Sequence, residues 1–235
     1  MSKRTRLDRF LSRQLGMNRR DVKPLLAQKR ILVDGRVATD VDQQLDEFSH
    51  VVLDEKIIQD NQPRYLMLHK PVGVVSANKD DQHQTVIDLL DEGDHSDLHI
   101  VGRLDLNTSG LLLLTNDSRW SSRLTEPDKK VPKVYRVTLE NPINEEYIQA
   151  FAQGMYFSYE DITTKPAQLE IISEFVARVS LIEGRYHQIK RMFGRFRNPV
   201  VGLHRLSIGN LKLDESLLPG QSRELSSAEV NDIFN

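Results

Sequence analysis

A chain of 235 residues with 39% apolar and 28% charged side chains has material for a real core, in one medium domain or in a small domain beside a larger one. No apolar run approaches a membrane span, no apolar stretch follows the basic Met1–Asp8 segment as it would in a signal peptide, and the lack of cysteine excludes disulfides, a thiol nucleophile and cysteine-held metal. A cytoplasmic location is the expectation. The formal net charge of −2 hides an uneven distribution: residues 1–36 hold eleven Lys/Arg and three Asp, residues 37–60 one Lys and seven acids, and residues 185–205 six Lys/Arg and no acid. Two basic clusters in a near-neutral chain point to a polyanionic partner.

Leu7, Phe10, Leu11 and Leu15 have helical spacing, and Gly16 stands where such a helix stops. Asn18 is placed to cap a second helix over 19–28 that buries Val22, Leu25 and Leu26, with Pro24 near its first turn. Residues 31–33, the Asp34-Gly35 dipeptide and Arg36-Val37 read as a hairpin. The polar faces carry Arg9, Arg13, Arg19, Arg20, Lys23, Lys29 and Arg30. A thin core under a dense basic face is the make-up of a nucleic-acid module.

Residues 60–64 are polar with a proline and read as a linker. A strand opens at Tyr65, and residues 69–76 read as a strand, a Pro/Gly turn and another strand. Residues 85–90 predict a short helix. Gly102 and Gly110 bracket a polar loop, and Leu111 to Thr115 reads as a buried strand. Asp105 is therefore carried on a loop held by a rigid strand, with Arg103 two residues away. Taken alone, it reads equally as a catalytic carboxylate and as an Asx-turn residue satisfying its own backbone.

Asp117 or Ser118 caps a helix through Trp120 and Leu124, and residues 133–139 alternate as a half-buried strand. Asn144 caps a helix with Glu145 and Glu146 in its first turn and Gly154 past its end. Residues 167–172, 177–181, 205–208 and 211–213 read as strands, and residues 184–193 as a strand end running into a basic helix. Ser226 and Glu229 form a capping box for the last helix. Strands with intervening helices but no regular βαβ alternation give an α+β fold with a largely antiparallel sheet.

Two resemblances follow from these residues. Leu7-Asp8-Arg9-Phe10-Leu11, the Asn18-Arg19-Arg20 helix start and residues 31–37 resemble the S-four RNA-binding domain, over residues 1–60. Residues 61–235 resemble the catalytic domain of the RsuA-type branch of the pseudouridine synthases. That likeness rests on Lys70-Pro71-x-Gly73, on Gly102-Arg103-Leu104-Asp105 with Thr108 and Gly110, on Lys133-x-Tyr135, and on Gly184-Arg185-Tyr186-His187-Gln188-Ile189-Lys190-Arg191-Met192. Asn107, where an acid is common, and Ser118, where glycine is frequent, depart from the pattern.

The second resemblance implies an isomerase that breaks the bond from ribose C1′ to N1 of a uridine and rejoins the ring through C5. No net redox change or hydrolysis occurs, so no cofactor or metal is expected. It implies Asp105 as the carboxylate that stabilises or captures the developing charge at C1′. It implies Tyr135 as the ring that stacks on the detached uracil, and Lys190 as the cation that keeps Asp105 ionised, with Arg185 next in line. Leu181 is an expected apolar floor for the base. Arg103, Arg185, His187 and Arg191 are expected RNA contacts, with phosphate or the loop backbone for Arg103 and packing as the other role for His187. Lys70 either supports the fold or binds RNA. Arg9, Arg19, Arg20 and Lys23 are expected to meet RNA phosphates.

The uridine of a folded RNA has to be flipped out to reach Asp105. Within the branch, Tyr186-His187, residues 163–167 and residues 64–68 resemble small-subunit members. The implied partner is 16S rRNA or a small-subunit assembly intermediate, met by a monomer and without a membrane. A 23S rRNA synthase and a non-catalytic rRNA-binding assembly factor are the alternatives.

Overall fold

The computed structural model describes residues 4–235, so Met1–Lys3 of the basic N-terminal stretch lie outside it. The chain divides into two compact units, Met1–Pro63 and Arg64–Asn235.

In the first unit, the helices Leu7–Leu15 and Arg19–Ala27 pack with a small sheet over one core, with Leu7, Phe10, Leu11, Val22, Ile31, Leu45 and Val51 buried at its centre. Gly16 ends the first helix in the left-handed region, at φ 66°. Asn18 occupies the cap position of the second helix, but its side chain makes no capping hydrogen bond. The hairpin turns at Asp34 and Gly35, both at positive φ, in the geometry that twisted two-residue hairpins require.

The second unit is built on a nine-stranded sheet. Across it run Gln168–Ser173, Val176–Leu181, Lys133–Leu139, Val200–Ile208, Ser109–Thr115, Tyr65–Lys70 and Ser222–Glu224. Leu211–Lys212 is added beside Val200–Ile208, and His99–Val101 beside Ser109–Thr115. Every pairing is antiparallel except that between Val200–Ile208 and Ser109–Thr115, which is parallel and only two residues long, His204 to Ser109 and Arg205 to Gly110. The fold is α+β with a mixed, mostly antiparallel sheet, as the sequence implies.

Alternation along the Ser109–Thr115 strand divides its leucines between two cores. Leu111 and Leu113 pack with Met67, Trp120 and Ile208, while Leu112 and Leu114 pack with Leu68, Val86 and Leu104. A third core, around Val137, Phe151, Val179 and Phe193, fills the other end of the sheet beneath the helices Glu145–Gln153 and Gln188–Gly194. The caps at Asp117, Asn144 and Ser226 all form.

Three local expectations are corrected. Residues 85–90 form a turn and not a helix: the Asp88 carboxylate takes the Thr85 N–H at 2.8 Å, and Val86, Ile87, Leu89 and Leu90 all pack into one cluster, where a helix would present a single stripe. The strand expected after Gly73 shrinks to a single bridge from Val75 to Thr85, because Ser76 is bonded through its hydroxyl to both the N–H and the carbonyl of Leu104. The strand expected from Arg205 begins at Val200, since the residues before Arg205 pair with Lys133–Leu139. No helix among the described residues is long and apolar enough to cross a membrane.

Candidate active site

The Asp105 loop is held from below by two buried cations. Lys70 is fully buried, and its Nζ donates to the carbonyls of Pro71 at 2.9 Å, Asp105 at 3.1 Å and Thr108 at 2.8 Å. Burial draws its ammonium down to about 8; the Asp105 charge opposes the fall and Arg205 adds to it. Arg205, also buried, donates from Nε to the Leu111 carbonyl at 2.7 Å and from Nη2 to that of Gly102 at 2.8 Å. Thr108 N–H closes a turn on the Asp105 carbonyl at 3.0 Å. The backbone of the loop is thus pinned at both ends, while the Asp105 side chain stays 39% exposed.

Above the loop lies a cleft of about 480 Å³. Leu104, Tyr135, Leu181 and Leu203 form its apolar wall, and Arg103, Arg185 and Lys190 stand around it. Among the described residues, Asp105 is the only acid that lines it. Tyr135 comes from the strand Lys133–Leu139, whose register slips between Val134 and Tyr135 where it pairs with Arg205. Lys133 ties the same strand down, donating to the Leu124 carbonyl at 2.9 Å, and burial draws its ammonium to about 8, with Arg205 contributing.

The far wall is the turn before the helix Gln188–Gly194. Buried Glu183 organises it, accepting from the Lys165 N–H at 2.8 Å, from Gln188 Nε2 at 2.7 Å and from Arg185 Nε at 3.1 Å. His187 follows in the left-handed region at φ 49°, its ring stacked on that of Tyr186 with centroids 3.9 Å apart. That conformation is costly for a non-glycine residue. It turns the imidazole back over the loop, with Nε2 3.2 Å from Asp105 Oδ2.

The residues expected from sequence therefore converge in part. Asp105, Tyr135, Leu181, Arg103, Arg185, His187 and Lys190 line one cleft. The basic side chain that reaches Asp105 is His187, however; Lys190 has no ion pair among the described residues. Lys70 is corrected as an RNA contact, because its amine is buried and spent on three carbonyls; it supports the loop. Arg191 is likewise engaged elsewhere, paired with Glu160 and lying 3.9 Å above the Phe157 ring. Arg9, Arg19, Arg20 and Lys23 are exposed on the first unit. Sequence reasoning missed Arg205 and Glu183. Their signals were the final cation of the acid-free run and an acid abutting the Gly184 motif, and neither reveals burial.

An acid on a pinned loop, an aromatic and apolar wall and a cationic rim define an enzyme site suited to a base-bearing polyanion. The family model described as RNA pseudouridylate synthase matches residues 64–194, and the S4 domain model matches residues 5–60. The chain belongs to the RNA pseudouridylate synthase family, whose members are isomerases. It is 52% identical over 226 residues to the ribosomal small subunit pseudouridine synthase A of Pseudomonas aeruginosa, covering 96% of this chain and 98% of that one. The protein of the same name from Vibrio cholerae is 45% identical over 229 residues, covering 97% and 99%. A crystal structure of a pseudouridylate synthase, 37% identical, superposes over 97% of this chain and 99% of its own with a TM-score of 0.71.

Proposed function

We propose that the chain converts one uridine of 16S rRNA, free or in a small-subunit assembly intermediate, to pseudouridine, acting as a cytoplasmic monomer without cofactor or metal. The observation that carries this reading is Asp105, the one carboxylate among the described residues lining a cleft whose other side chains include Tyr135, Leu181, Arg103, Arg185 and Lys190. The small-subunit target is supported by the names of relatives that match nearly the whole chain.

The target nucleotide leaves the RNA stack at a cost on the order of a few kcal/mol, offset by phosphate contacts at the rim. Its ribose C1′ meets Asp105, and its uracil lies against Tyr135 over Leu181. As the C1′–N1 bond breaks, positive charge grows at C1′ and the carboxylate stabilises or captures it. The uracil, held by stacking, turns to present C5; the C1′–C5 bond forms, N1 takes up a proton and the C5 hydrogen departs, so the product is an isomer of the uridine. Lys190 supplies a cation that keeps Asp105 ionised beside the bound nucleotide. Arg103 and Arg185 hold the flanking phosphates, and the basic face of the first unit adds backbone contacts.

The test is a pseudouridine map of 16S and 23S rRNA after incubation with the wild-type chain and with Asp105→Asn. A single 16S site made by the wild type alone is expected. A 23S site overturns the target, activity retained by Asp105→Asn removes Asp105 from its role, and no site on either RNA or on immature particles overturns the enzymatic reading in favour of an assembly factor.

A further inference from the structure

We infer that Tyr186 is a stacking seat for the nucleobase adjacent to the target uridine, an inference that rests on the reading of the cleft as a uridine site. Tyr186 lines the cleft yet is 75% exposed. One face of its ring is covered by His187, at 3.9 Å between centroids and 19° between planes. No hydrogen-bond partner satisfies its hydroxyl among the described residues.

The turn that carries the ring is anchored. His187 turns through a left-handed conformation into the helix that starts at Gln188, and Gln188 is tied to buried Glu183 at 2.7 Å and to the Arg185 N–H at 3.2 Å. The outcome is a continuous assembly of Tyr186 ring, His187 ring and Asp105 carboxylate, the last pair 3.2 Å apart. An exposed aromatic on an anchored turn, with one face covered by the His187 ring that reaches the reacting carboxylate, fits a flat partner that arrives with the substrate.

The chemistry of the rim says what that partner is. Arg103, Arg185 and Lys190 surround the cleft and Asp105 is its only acid among the described residues, so the ligand is a polyanion, and its flat groups are bases. Flipping a uridine out of a strand strips its neighbour of a stacking partner. Tyr186 replaces that partner, while the less exposed Tyr135 is left for the uracil itself. Since every base has a π-face, this seat favours extrusion and affinity without choosing the sequence.

The test uses the full chain and a 16S rRNA fragment that the wild type modifies, with tritium released from C5-labelled uridine as the readout. Variants are Tyr186→Leu and Tyr186→Phe, and RNAs carry an abasic residue on one side or the other of the target. Tyr186→Leu is expected to raise KM about tenfold with little change in kcat, the scale of one base–aromatic stack, and Tyr186→Phe to restore the wild-type KM. One of the two abasic RNAs should cost the wild type a similar factor and cost Tyr186→Leu nothing more.

A wild-type KM in Tyr186→Leu, equal impairment of Tyr186→Phe, a loss confined to kcat, or an abasic penalty as large in Tyr186→Leu as in the wild type each overturns the seat. Thermal melting of the variants beside the wild type separates misfolding from lost stacking, and Tyr186→Phe decides the matter if the leucine variant melts early. A wild type that makes no pseudouridine in any intact RNA brings down the underlying reading; an active wild type with an indifferent Tyr186→Leu brings down this inference alone.

Discussion

Asp105 is positioned by its backbone, and the cost of that arrangement is visible one turn further on. Lys70 takes the carbonyls of Asp105 and Thr108, and the turn between these two residues closes on itself. Thr108 is left 1% exposed with a hydroxyl that finds no partner among the described residues. A buried polar group without a hydrogen bond costs about 1–3 kcal/mol. Thr108→Val keeps the shape and removes the hydroxyl, so it should stabilise the chain by about 1 kcal/mol, read as a higher urea midpoint at unchanged slope. Thr108→Ser keeps the hydroxyl, loses a methyl group and should fall below the wild type. The sequence made Asp105 and its loop legible because brackets of glycine and a leucine strand are local signals. It did not reveal that Lys70 is the clamp or that His187 faces Asp105, because both depend on segments 35 or more residues apart meeting in space.

At the scale of elements, the two halves of the large sheet are joined by one short parallel contact. Gly110 sits at φ 110° against Arg205, and a Cβ there would stand 2.3 Å from the Arg205 carbonyl oxygen, so the crossing demands glycine. His204 stands at the same junction. Its Nδ1 lies 2.9 Å from Ser109 Oγ, and its ring meets that of His69 edge-on at 5.5 Å. Burial first, then His69 and Arg136, bring the His204 imidazole from the usual 6.5 down to about 4. The folded chain therefore binds this proton less readily than the unfolded chain, and the neutral ring's contribution is complete above about pH 6.5 and is lost as pH falls toward 4. From pH 7 to pH 5 this one group should remove about 2 kcal/mol of stability, and His204→Gln should flatten that part of the profile in urea unfolding measured at both pH values. An unaltered profile would show that His204 is not the group responsible. Caps and the Asp34-Gly35 turn were readable from short windows. The Val200–Ile208 strand was read too short, since its first half is defined by partners on Lys133–Leu139 and not by its own Gly202-containing sequence.

Over the whole molecule, the charge distribution was the most legible feature, and the structure sorts it into engaged and free groups. In the first unit, Arg6 pairs with Asp8 and Arg30 with Asp54, so part of the basic cluster is already neutralised within the unit. Arg9, Arg19, Arg20 and Lys23 are exposed and have no ion pair among the described residues. In the second unit, Arg191 is neutralised by Glu160, while Arg103 and Lys190 at the cleft are not paired among the described residues. Counting Lys and Arg in the sequence could not make this division, because it depends on which acid each cation meets. The division predicts how binding to rRNA responds to salt. Each phosphate-bound cation contributes a slope of about 0.7–0.9 in the logarithm of affinity against the logarithm of salt concentration. Replacing Arg19, Arg20 and Lys23 together by Gln should weaken binding to any rRNA fragment and lower the slope by about 2–3, whereas Arg30→Gln, which removes a charge already matched by Asp54, should lower it by far less than one. Filter binding or fluorescence anisotropy across a salt series separates the two. Equal slopes for the triple variant and the wild type would mean that the basic face of the first unit does not meet the RNA backbone, and the affinity would then have to come from the cationic rim of the cleft.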